Sequence, residues 1–418
     1  MRRARVVIGS GFGDEGKGLA ADLHAASSKI ETLVVRHNGG AQAGHTVVMP
    51  DGRRHVFSHV GSGSFAGAST YLSRFFVCHP ILFRDELRRL GELGVRPRVC
   101  VDPAAPVTTP FDMMLNQHVE ASRGGARHGS CGLGFGETLE RDQYPAFRVR
   151  AADLADPRRL ARALDAIRED YVPRRLRELG LPPLPAYAEA ADIARRFVED
   201  ARHFVERTQI RDAEVLQEDI ELIFEGAQGL LLDMERGEFP HVTRSHTGIR
   251  NAATLANAAG IGELDITYVS RWYATRHGAG PLDHELDGPP FRGPGDSTNR
   301  DNPWQGALRF GLLDVDRLAR AVRADLGDGG DLALRHHWLV TWADRAPATI
   351  ACAWRDTRAE LEVGDLGSLL AEASGGEGHR LAWGPTRADV GSLYLERSAS
   401  VQPSRNAGSR DRHSQVPR

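Results

Sequence analysis

A glycine-rich turn directly after the first apolar run places the strongest constraint on how this chain can fold. Val6 to Gly9 is short and apolar and predicts a buried strand, and the segment from Lys17 to about Ala26 has a helical pattern. Between them, Gly11-Phe-Gly-Asp-Glu-Gly-Lys17 has the spacing of a phosphate-binding loop. A strand, a glycine turn and a helix N-terminus together form an anion-binding arrangement. The sequence therefore predicts an α/β protein with a phosphate site near its start.

The loop departs from the usual motif at Gly18, where a Ser or Thr normally binds magnesium. The metal ligand must then come from elsewhere, and Asp14 is the candidate, because Mg²⁺ prefers carboxylate and carbonyl oxygens beside phosphates. A glycine-rich loop with a lysine can also be a simple tight turn. The rarer tetrad Gly13-Asp14-Glu15-Gly16 before Lys17 favours phosphate binding.

Further apolar runs, each followed by a loop, predict the rest of a sheet. They lie at Leu33 to Arg36, Leu222 to Phe224, Ile266 to Val269 and Trp338 to Thr341. The first of them leads into a second glycine-rich loop at residues 38–45. This repetition predicts a large, mostly parallel central sheet with helices on both faces, of the P-loop-NTPase type, with ligands at the carboxyl ends of the strands.

Two amphipathic helices are predicted between about residues 152 and 214. Leu160, Leu164, Ile167 and Tyr171 mark one helical face, and a second helix is predicted from Ala188 to Phe204. We interpret this segment as a helical insertion in one domain of residues 1–397. Residues 398–418 are rich in Ser, Arg, Asn and Pro with almost no apolar residues, which predicts a disordered tail.

The bulk composition argues against several classes of protein. With 53 basic and 56 acidic residues and a net charge of -3, the chain has no general attraction for nucleic acid. No apolar run approaches the ~20 residues of a membrane span. The four cysteines have neither metal nor disulfide spacing, which suits a reducing compartment. We expect a cytoplasmic protein that binds neither nucleic acid nor membranes.

Five motifs in order resemble those of adenylosuccinate synthetase. They are Gly13 to Lys17, Gly39-Gly40, Gly44-His45-Thr46, Glu225-Gly-Ala-Gln-Gly229 and Thr275-Arg-His-Gly-Ala-Gly-Pro281. The resemblance runs from residue 6 to about residue 390, so residues 1–397 are identified as an adenylosuccinate synthetase-like domain. It implies a ligase of purine nucleotide biosynthesis that joins L-aspartate to the 6-position of IMP through a 6-phosphoryl intermediate, driven by GTP or ATP. It also implies a homodimer with acceptor sites near the interface.

The resemblance implies two catalytic residues. Asp14 matches the base that removes the purine N1 proton, and with Gly44 it matches the positions that hold Mg²⁺. A carboxylate suits the base, because the proton is transferred as the 6-oxygen attacks the γ-phosphate. His45 matches the residue that stabilises charge on the activated oxygen and the leaving phosphate. The residues implied to bind substrate or nucleotide are Gly13, Glu15, Gly16, Lys17, Gln42, Thr46, Ser130, Cys131, Gln228, Thr243, Arg300, Asp344 and Gly384.

On the acceptor side, Gln228 and Thr243 match positions that bind the purine monophosphate. Arg300 matches an arginine that contacts the amino-acid carboxylate, for which a guanidinium fork is well suited. Ser130 and Cys131 fall where the family has a glycine and an arginine. A serine hydroxyl can donate to a phosphate, whereas a thiol is a poorer donor and Cys131 can equally be a packing residue.

Two other departures leave the substrates open. Ala41 and Gln42 replace a histidine and an asparagine near the acceptor nucleotide. Thr341-Trp-Ala-Asp344 replaces Thr-Lys-x-Asp, which reads guanine in the family; Asp344 can still accept from guanine, while Trp342 can stack on a base or admit adenine. The sequence does not decide between IMP and dGMP or GMP, between GTP and ATP, or between aspartate and another amine.

Three further interpretations compete with this one. The phage-type branch of the family acts on dGMP, but it commonly carries serine where this chain keeps Asp14. A non-catalytic nucleotide sensor or switch can use the same fold, and the presence of both Asp14 and His45 argues against it. A conventional GTPase is disfavoured by Gly18 and Trp342.

Overall fold

The computed structural model describes residues 1–124, 128–184, 189–295, 298 and 306–395. Arg300 and the predicted tail at 398–418 lie outside these residues. The strands are β1 (Arg3–Gly9), β2 (Thr32–Arg36), β3 (His45–Val48), β4 (Arg54–Phe57), β5 (Ser69–Leu72), β6 (Val99–Val101), β7 (Gln209–Ile210), β8 (Glu221–Gly229), β9 (Glu263–Arg271), β10 (Tyr273–His277), β11 (Glu285–Leu286), β12 (Leu308–Asp314), β13 (Ala333–Thr341), β14 (Ile350–Trp354), β15 (Thr357–Leu361), β16 (Gly378–Leu381) and β17 (Tyr394–Leu395). The α-helices are α1 (Lys17–Ser27), α2 (Pro80–Glu92), α3 (Pro110–Arg123), α4 (Phe135–Asp142), α5 (Pro157–Ala166), α6 (Val172–Glu178), α7 (Ala190–Arg207), α8 (Arg250–Ala258), α9 (Val315–Leu326) and α10 (Val363–Ser374).

A ten-stranded sheet forms the centre of the molecule, in the order β17-β16-β13-β9-β1-β8-β2-β5-β6-β7. All neighbouring pairs are parallel except β16 and β17. The four predicted strands after β1 are β2, β8, β9 and β13, and all lie in this sheet. The prediction of a large, mostly parallel sheet is therefore confirmed.

The apolar run of β1 is continuous because both of its faces are covered. Val6 and Ile8 belong to a core that includes Leu255 of α8 and Leu318 of α9, while Val7 points to the other face, towards Leu19 of α1. A parallel strand buried on both sides reads as an unbroken apolar segment and not as an alternating one. Helices on both faces, as predicted, leave the carboxyl ends of the strands as the open edge.

The segment predicted as a helical insertion contains α5, α6 and α7. A π-helical turn, Ile167–Tyr171, joins α5 to α6, and the helix predicted to begin at Ala188 is α7. The buried face of these helices packs with Phe83 of α2 and Phe111 of α3 in a core of its own. The segment also supplies β7, which pairs with β6 at the edge of the large sheet.

Two smaller sheets lie beside the large one. β10, β12, β14 and β15 form one of them, with β11 paired to β12, and β3 and β4 form an antiparallel hairpin. The sequence did not predict these strands, most of which have five residues or fewer. Within the described residues no helix combines the length and the apolar character needed to cross a bilayer.

Candidate active site

A cavity of about 300 Å³ opens where β1, β9, β13 and β16 end. The phosphate loop forms one wall and the start of β3 forms another. The predicted site residues that line the cavity are Gly13, Asp14, Gly16, Lys17, Gly44, His45, Thr46, Asp344 and Gly384. The structure thus brings the first two glycine loops together with residues 341–344, the predicted base-reading segment, although they are far apart in the chain.

Glu15 holds the phosphate loop from within. Its Oε1 atom accepts from the backbone N–H groups of Gly11, at 3.0 Å, and Gly13, at 2.7 Å. Lys17 Nζ donates to the carbonyl of Gly13 at 2.7 Å and to Glu15 Oε2 at 3.1 Å. Glu15 lines a second, smaller cavity behind the loop and not the main one. Gly13 and Gly16 have φ values of 116° and 104°, which explains why glycine occupies both positions.

Gly18 is a glycine because β3 lies against the first turn of α1. A Cβ atom at this position would lie 2.7 Å from the carbonyl oxygen of Thr46 and 3.1 Å from the carbonyl carbon of His45. Real Cβ atoms essentially never come within 3.0 Å of another non-bonded heavy atom, and a 3.1 Å contact is tighter than nine in ten real ones. The hydroxyl residue of the usual phosphate loop is therefore excluded here by the strand that carries His45.

Asp14 faces the cavity beside Arg271, a cation to which the sequence did not point. Arg271, at the end of β9, donates from Nε to the backbone carbonyl of Asp14 at 2.6 Å. Burial raises the pKa of Asp14 above its ordinary value, and the charge of Arg271 opposes this shift. A raised pKa suits a general base, which works best when its pKa is near the operating pH. Arg271 follows the predicted strand Ile266 to Val269 by two residues, so its place at the strand end was open to prediction.

His45 is oriented by a buried carboxylate. Its Nδ1 atom lies 2.7 Å from Glu225 Oε1, and Glu225 also accepts from the backbone N–H of Ser62 at 3.0 Å and from the Ser62 hydroxyl. Burial lowers the pKa of His45 to about 4, against the charge of Glu225. Burial would raise the pKa of Glu225, but the charges of His45 and Arg36 outweigh it and lower that pKa to about 2. His45 Nε2 is buried without a hydrogen-bond partner among the described residues, which leaves it available to a ligand.

The segment after β13 is tied to the phosphate loop. The hydroxyl of Thr341 donates to the carbonyl of Glu15 at 2.7 Å. Asp344 lines the cavity and pairs with Arg345 at 3.2 Å. Trp342 also lines the cavity, and the guanidinium carbon of Arg271 lies over its ring, 4.7 Å from the ring centroid.

The acceptor-side residues do not line this cavity; Gln228 stands near the end of β8 and the others lie on loops. Of the described residues predicted there, Gln42, Ser130, Cys131, Gln228 and Thr243 are absent from its lining. The backbone of Gln228, with φ of 64°, packs against the phosphate loop, since a Cβ on Gly13 would lie 3.3 Å from Gln228 Cα. The Ser130 hydroxyl accepts from the Asn116 amide at 2.7 Å, and burial raises the pKa of the Cys131 thiol, which keeps it neutral.

Asn38 forms hydrogen bonds that join three of the segments carrying the acceptor-side residues. Its side-chain amide donates to the carbonyls of Ala227 and His246, each at 3.0 Å, and its oxygen accepts from the Ala227 N–H at 2.7 Å. The loop that carries Gln42 is thereby joined to the end of β8, which carries Gln228, and to the loop that carries Thr243. Gln42 Nε2 is buried with no partner among the described residues. Nothing in the sequence indicated that Asn38 joins these segments.

The donor set fits one mode of magnesium binding. Among the described residues, no three His, Cys, Asp or Glu side chains are placed to form a metal site from protein groups alone. Mg²⁺, however, commonly keeps several waters and binds through one or two carboxylates together with substrate phosphates. The Asp14 carboxylate and the exposed backbone of Gly44 both face the cavity and can serve in this way.

The parallel sheet, the phosphate loop and a cavity lined by an acid, a lysine and a histidine define a nucleotide-dependent enzyme of the P-loop type. The model of the adenylosuccinate synthetase family matches residues 6–324. The adenylosuccinate synthetase of Xylella fastidiosa (strain M12) is 32% identical over 371 residues, which cover 86% of this chain and 83% of that protein. That of Chromohalobacter salexigens is 35% identical over 294 residues, which cover 68% and 66%. The chain belongs to the adenylosuccinate synthetase family.

Members of this family are ligases that form a C–N bond between aspartate and IMP in purine nucleotide biosynthesis, with GTP and Mg²⁺. The predicted family and ligase activity are confirmed.

Two solved structures have the same fold. A fully ligated adenylosuccinate synthetase from Plasmodium falciparum has a TM-score of 0.68 at 15% identity, covering 93% of this chain and 99% of that chain. The succinoaminodeoxyadenylate synthetase of cyanophage S-2L, bound to dGMP and to dATP as an energy donor, has a TM-score of 0.58 at 16% identity, covering 94% and 95%. At these identities the likeness concerns the fold alone.

Proposed function

We propose that this chain joins L-aspartate to IMP with GTP, using Asp14 as the base and His45 as the residue that stabilises the developing charge. The observation that carries this proposal is that Asp14, Lys17 and His45 line one cavity at the phosphate loop. A switch protein would need the loop and its lysine, but it would have no use for a carboxylate and a carboxylate-held imidazole beside them.

The proposed chemistry has two steps. The Asp14 carboxylate takes the N1 proton of IMP while the 6-oxygen attacks the γ-phosphorus of GTP, and GDP leaves. The amino group of aspartate then attacks C6 and loses one proton, the bond from C6 to the phosphorylated oxygen breaks, and the phosphate leaves with that proton. Bound Mg²⁺, held by Asp14 and the Gly44 backbone, would offset charge on the phosphate oxygens. Preorganised groups aimed at developing charge supply much of an enzyme's rate enhancement.

We assign His45 to the 6-oxygen and the transferring phosphoryl group. Glu225 fixes the ring through Nδ1, so Nε2 is the atom that meets the ligand. Phosphate charge in the cavity favours the protonated ring, which then donates from Nε2 to the anion. Lys17 supplies a second positive charge from the phosphate loop.

GTP is proposed over ATP because Asp344 lines the cavity. A carboxylate can accept from the N1–H and 2-amino groups of guanine, whereas adenine has no proton on N1. IMP is proposed over dGMP because the chain keeps Asp14. Use of dGMP is an outcome of the experiment that follows.

The test is a grid of substrates with product identification. Purified protein with Mg²⁺ and L-aspartate is incubated with IMP, GMP or dGMP and with GTP, ATP or dATP, and the products are identified by mass spectrometry. We expect the succinyl adduct of IMP, formed fastest with GTP. Adducts from dGMP alone would contradict the proposed acceptor, and adducts formed faster with ATP would contradict the assignment to Asp344.

Variants test the two catalytic assignments. Asp14→Asn and His45→Asn should each lower turnover by about 100-fold or more, the usual cost of losing an acid–base or charge-stabilising group. Asp51→Asn is the matched control, because Asp51 is an exposed aspartate on the turn between β3 and β4. Near-normal turnover in both cavity variants would remove the assignments.

We further propose a cytoplasmic homodimer. Twofold dimers are the commonest assembly of soluble proteins, and family membership supports one here. Light scattering at assay concentrations should give twice the mass of the chain, and an active monomer would contradict the proposal.

A further inference from the structure

Arg271 contacts both the phosphate loop and the base-reading segment. Its Nε atom donates to the backbone carbonyl of Asp14 at 2.6 Å, and Nη1 donates to the Tyr273 hydroxyl at 2.9 Å. Its guanidinium carbon lies 4.7 Å from the centroid of the Trp342 ring. Arg271 is 4% exposed, so these contacts are made within the cavity wall.

Trp342 also packs against two other aromatic side chains. Its ring packs against Phe291, with the centroids 5.3 Å apart, and edge-on against Tyr273 at 6.2 Å. Its backbone has φ of 63°, and its carbonyl accepts from the indole N–H of Trp272 at 3.0 Å. A nucleobase that stacked on the covered face of Trp342 would have to displace Arg271.

We propose that Trp342 is a positioning residue that acts through Arg271 on the phosphate loop, and is not a stacking platform for the base. The inference rests on the proposed function, in that it assigns this cavity to a nucleoside triphosphate. The stack orients the guanidinium, the guanidinium holds the carbonyl of Asp14, and the loop that carries Asp14 and Lys17 is thereby kept in its binding conformation. The pair thus links the phosphate end of the site to the segment that carries Asp344.

A role of Trp342 through Arg271 and a role in base stacking predict different losses of ligand binding when Trp342 is replaced. If Trp342 contacts the base, its loss weakens the binding of nucleotides and leaves the binding of a base-free ligand unchanged. If Trp342 acts through Arg271, its loss weakens the binding of every ligand that contacts the phosphate loop by the same factor. Inorganic tripolyphosphate is the base-free probe, and ATP tests a second base.

The experiment measures dissociation constants by calorimetry for GTP, ATP and tripolyphosphate, each with Mg²⁺, on the full chain. Trp342→Ala should weaken all three by a similar factor of about tenfold, the scale of a partly desolvated cation–π contact. Trp342→Phe, which keeps an aromatic face, should bind all three ligands nearly as tightly as the wild-type protein does. Arg271→Ala should weaken the same ligands, and adding Trp342→Ala to it should cost little more, because the two residues act as one unit.

The outcomes separate this inference from the proposed function. Weaker binding of GTP together with unchanged binding of tripolyphosphate would overturn the inference and leave the ligase assignment intact. Losses of affinity that add up in the double variant would do the same. A wild-type protein that binds neither GTP nor tripolyphosphate would overturn both. Thermal unfolding of each variant confirms that binding is compared between folded proteins.

Discussion

At the scale of single residues, His45 and Glu225 form the contact on which the proposed chemistry most depends. The 2.7 Å contact between His45 Nδ1 and Glu225 Oε1 is buried on both sides, so solvent does not compete for either partner. A histidine fixed at Nδ1 presents Nε2 in one orientation, and small misplacements of a catalytic group are costly.

Glu225→Gln should therefore lower kcat far more than it raises the KM for GTP. The amide keeps the size of the side chain but can offer an N–H to Nδ1, which favours the wrong tautomer of His45. We expect a loss in kcat of about 100-fold. Ser62→Ala is the matched control, since it removes one hydroxyl donor and leaves the backbone N–H of Ser62 on the same carboxylate. A variant with unchanged kcat and a raised KM would show that Glu225 does not act through His45.

The sequence predicted His45 as a site residue but gave no role to its partner Glu225. Asp14 and His45 stand in recognisable motifs, so their place in one cavity could be expected. Glu225 also stands in a motif, yet its role depends on β2 and β8 being neighbours, which bring it beside Arg36 and the loop that ends in His45. Arg271 ends β9 and Trp342 directly follows β13, and neither spacing nor composition reveals that they stack.

At the scale of elements, the packing of β3 on α1 explains the departure of the phosphate loop from its usual motif. The sequence showed that Gly18 replaces a hydroxyl residue, but the reason required the position of β3. This hairpin strand has four residues, too few for its alternation to stand out from a loop. The long apolar strands of the sheet, by contrast, are read easily because they are buried on both faces.

Gly18→Ala should lower both stability and turnover. The added methyl group meets the backbone of β3, so either the first turn of α1 or the strand that carries His45 must move. Such overpacking typically costs about 1–3 kcal/mol. Gly364→Ala is the control, because Gly364 lies in α10 with open space around it, and there alanine should be neutral or stabilise by up to about 1 kcal/mol. Chemical denaturation and steady-state assays measure the two effects, and equal behaviour of the variants would contradict the packing argument.

At the scale of the whole molecule, the fold buries several titratable groups. Burial lowers the pKa values of His24, His37 and His79 to about 3 each. Burial raises the pKa of Asp22 to about 6 and that of Asp325 to about 7. The composition gives the number of these residues but not their burial, which depends on which faces the helices cover.

The buried histidines and the buried aspartic acids affect stability with opposite signs. A histidine with a lowered native pKa stays neutral where the unfolded chain binds a proton, so its effect is to reduce stability as the pH falls below about 6.5. An aspartic acid with a raised native pKa keeps its proton where the unfolded chain loses it, so it reduces stability as the pH rises above about 4. Between these limits the effects compete, and a single variant is needed to separate them.

His37→Phe isolates one histidine. His37 is fully buried, neither of its ring nitrogens has a hydrogen-bond partner among the described residues, and its ring already packs edge-on against Phe224 at 6.1 Å. The change therefore removes a titrating group without removing a hydrogen bond.

The difference in the free energy of unfolding, variant minus wild type, should be about 1–2 kcal/mol larger at pH 5 than at pH 8. The reason is that a tenfold difference in proton affinity between the folded and unfolded states corresponds to about 1.4 kcal/mol. The free energy of unfolding is measured by urea denaturation at both pH values, and the pH 8 comparison removes any constant effect of repacking. A difference between the two proteins that stays the same from pH 8 to pH 5 would show that His37 is not held neutral in the folded state.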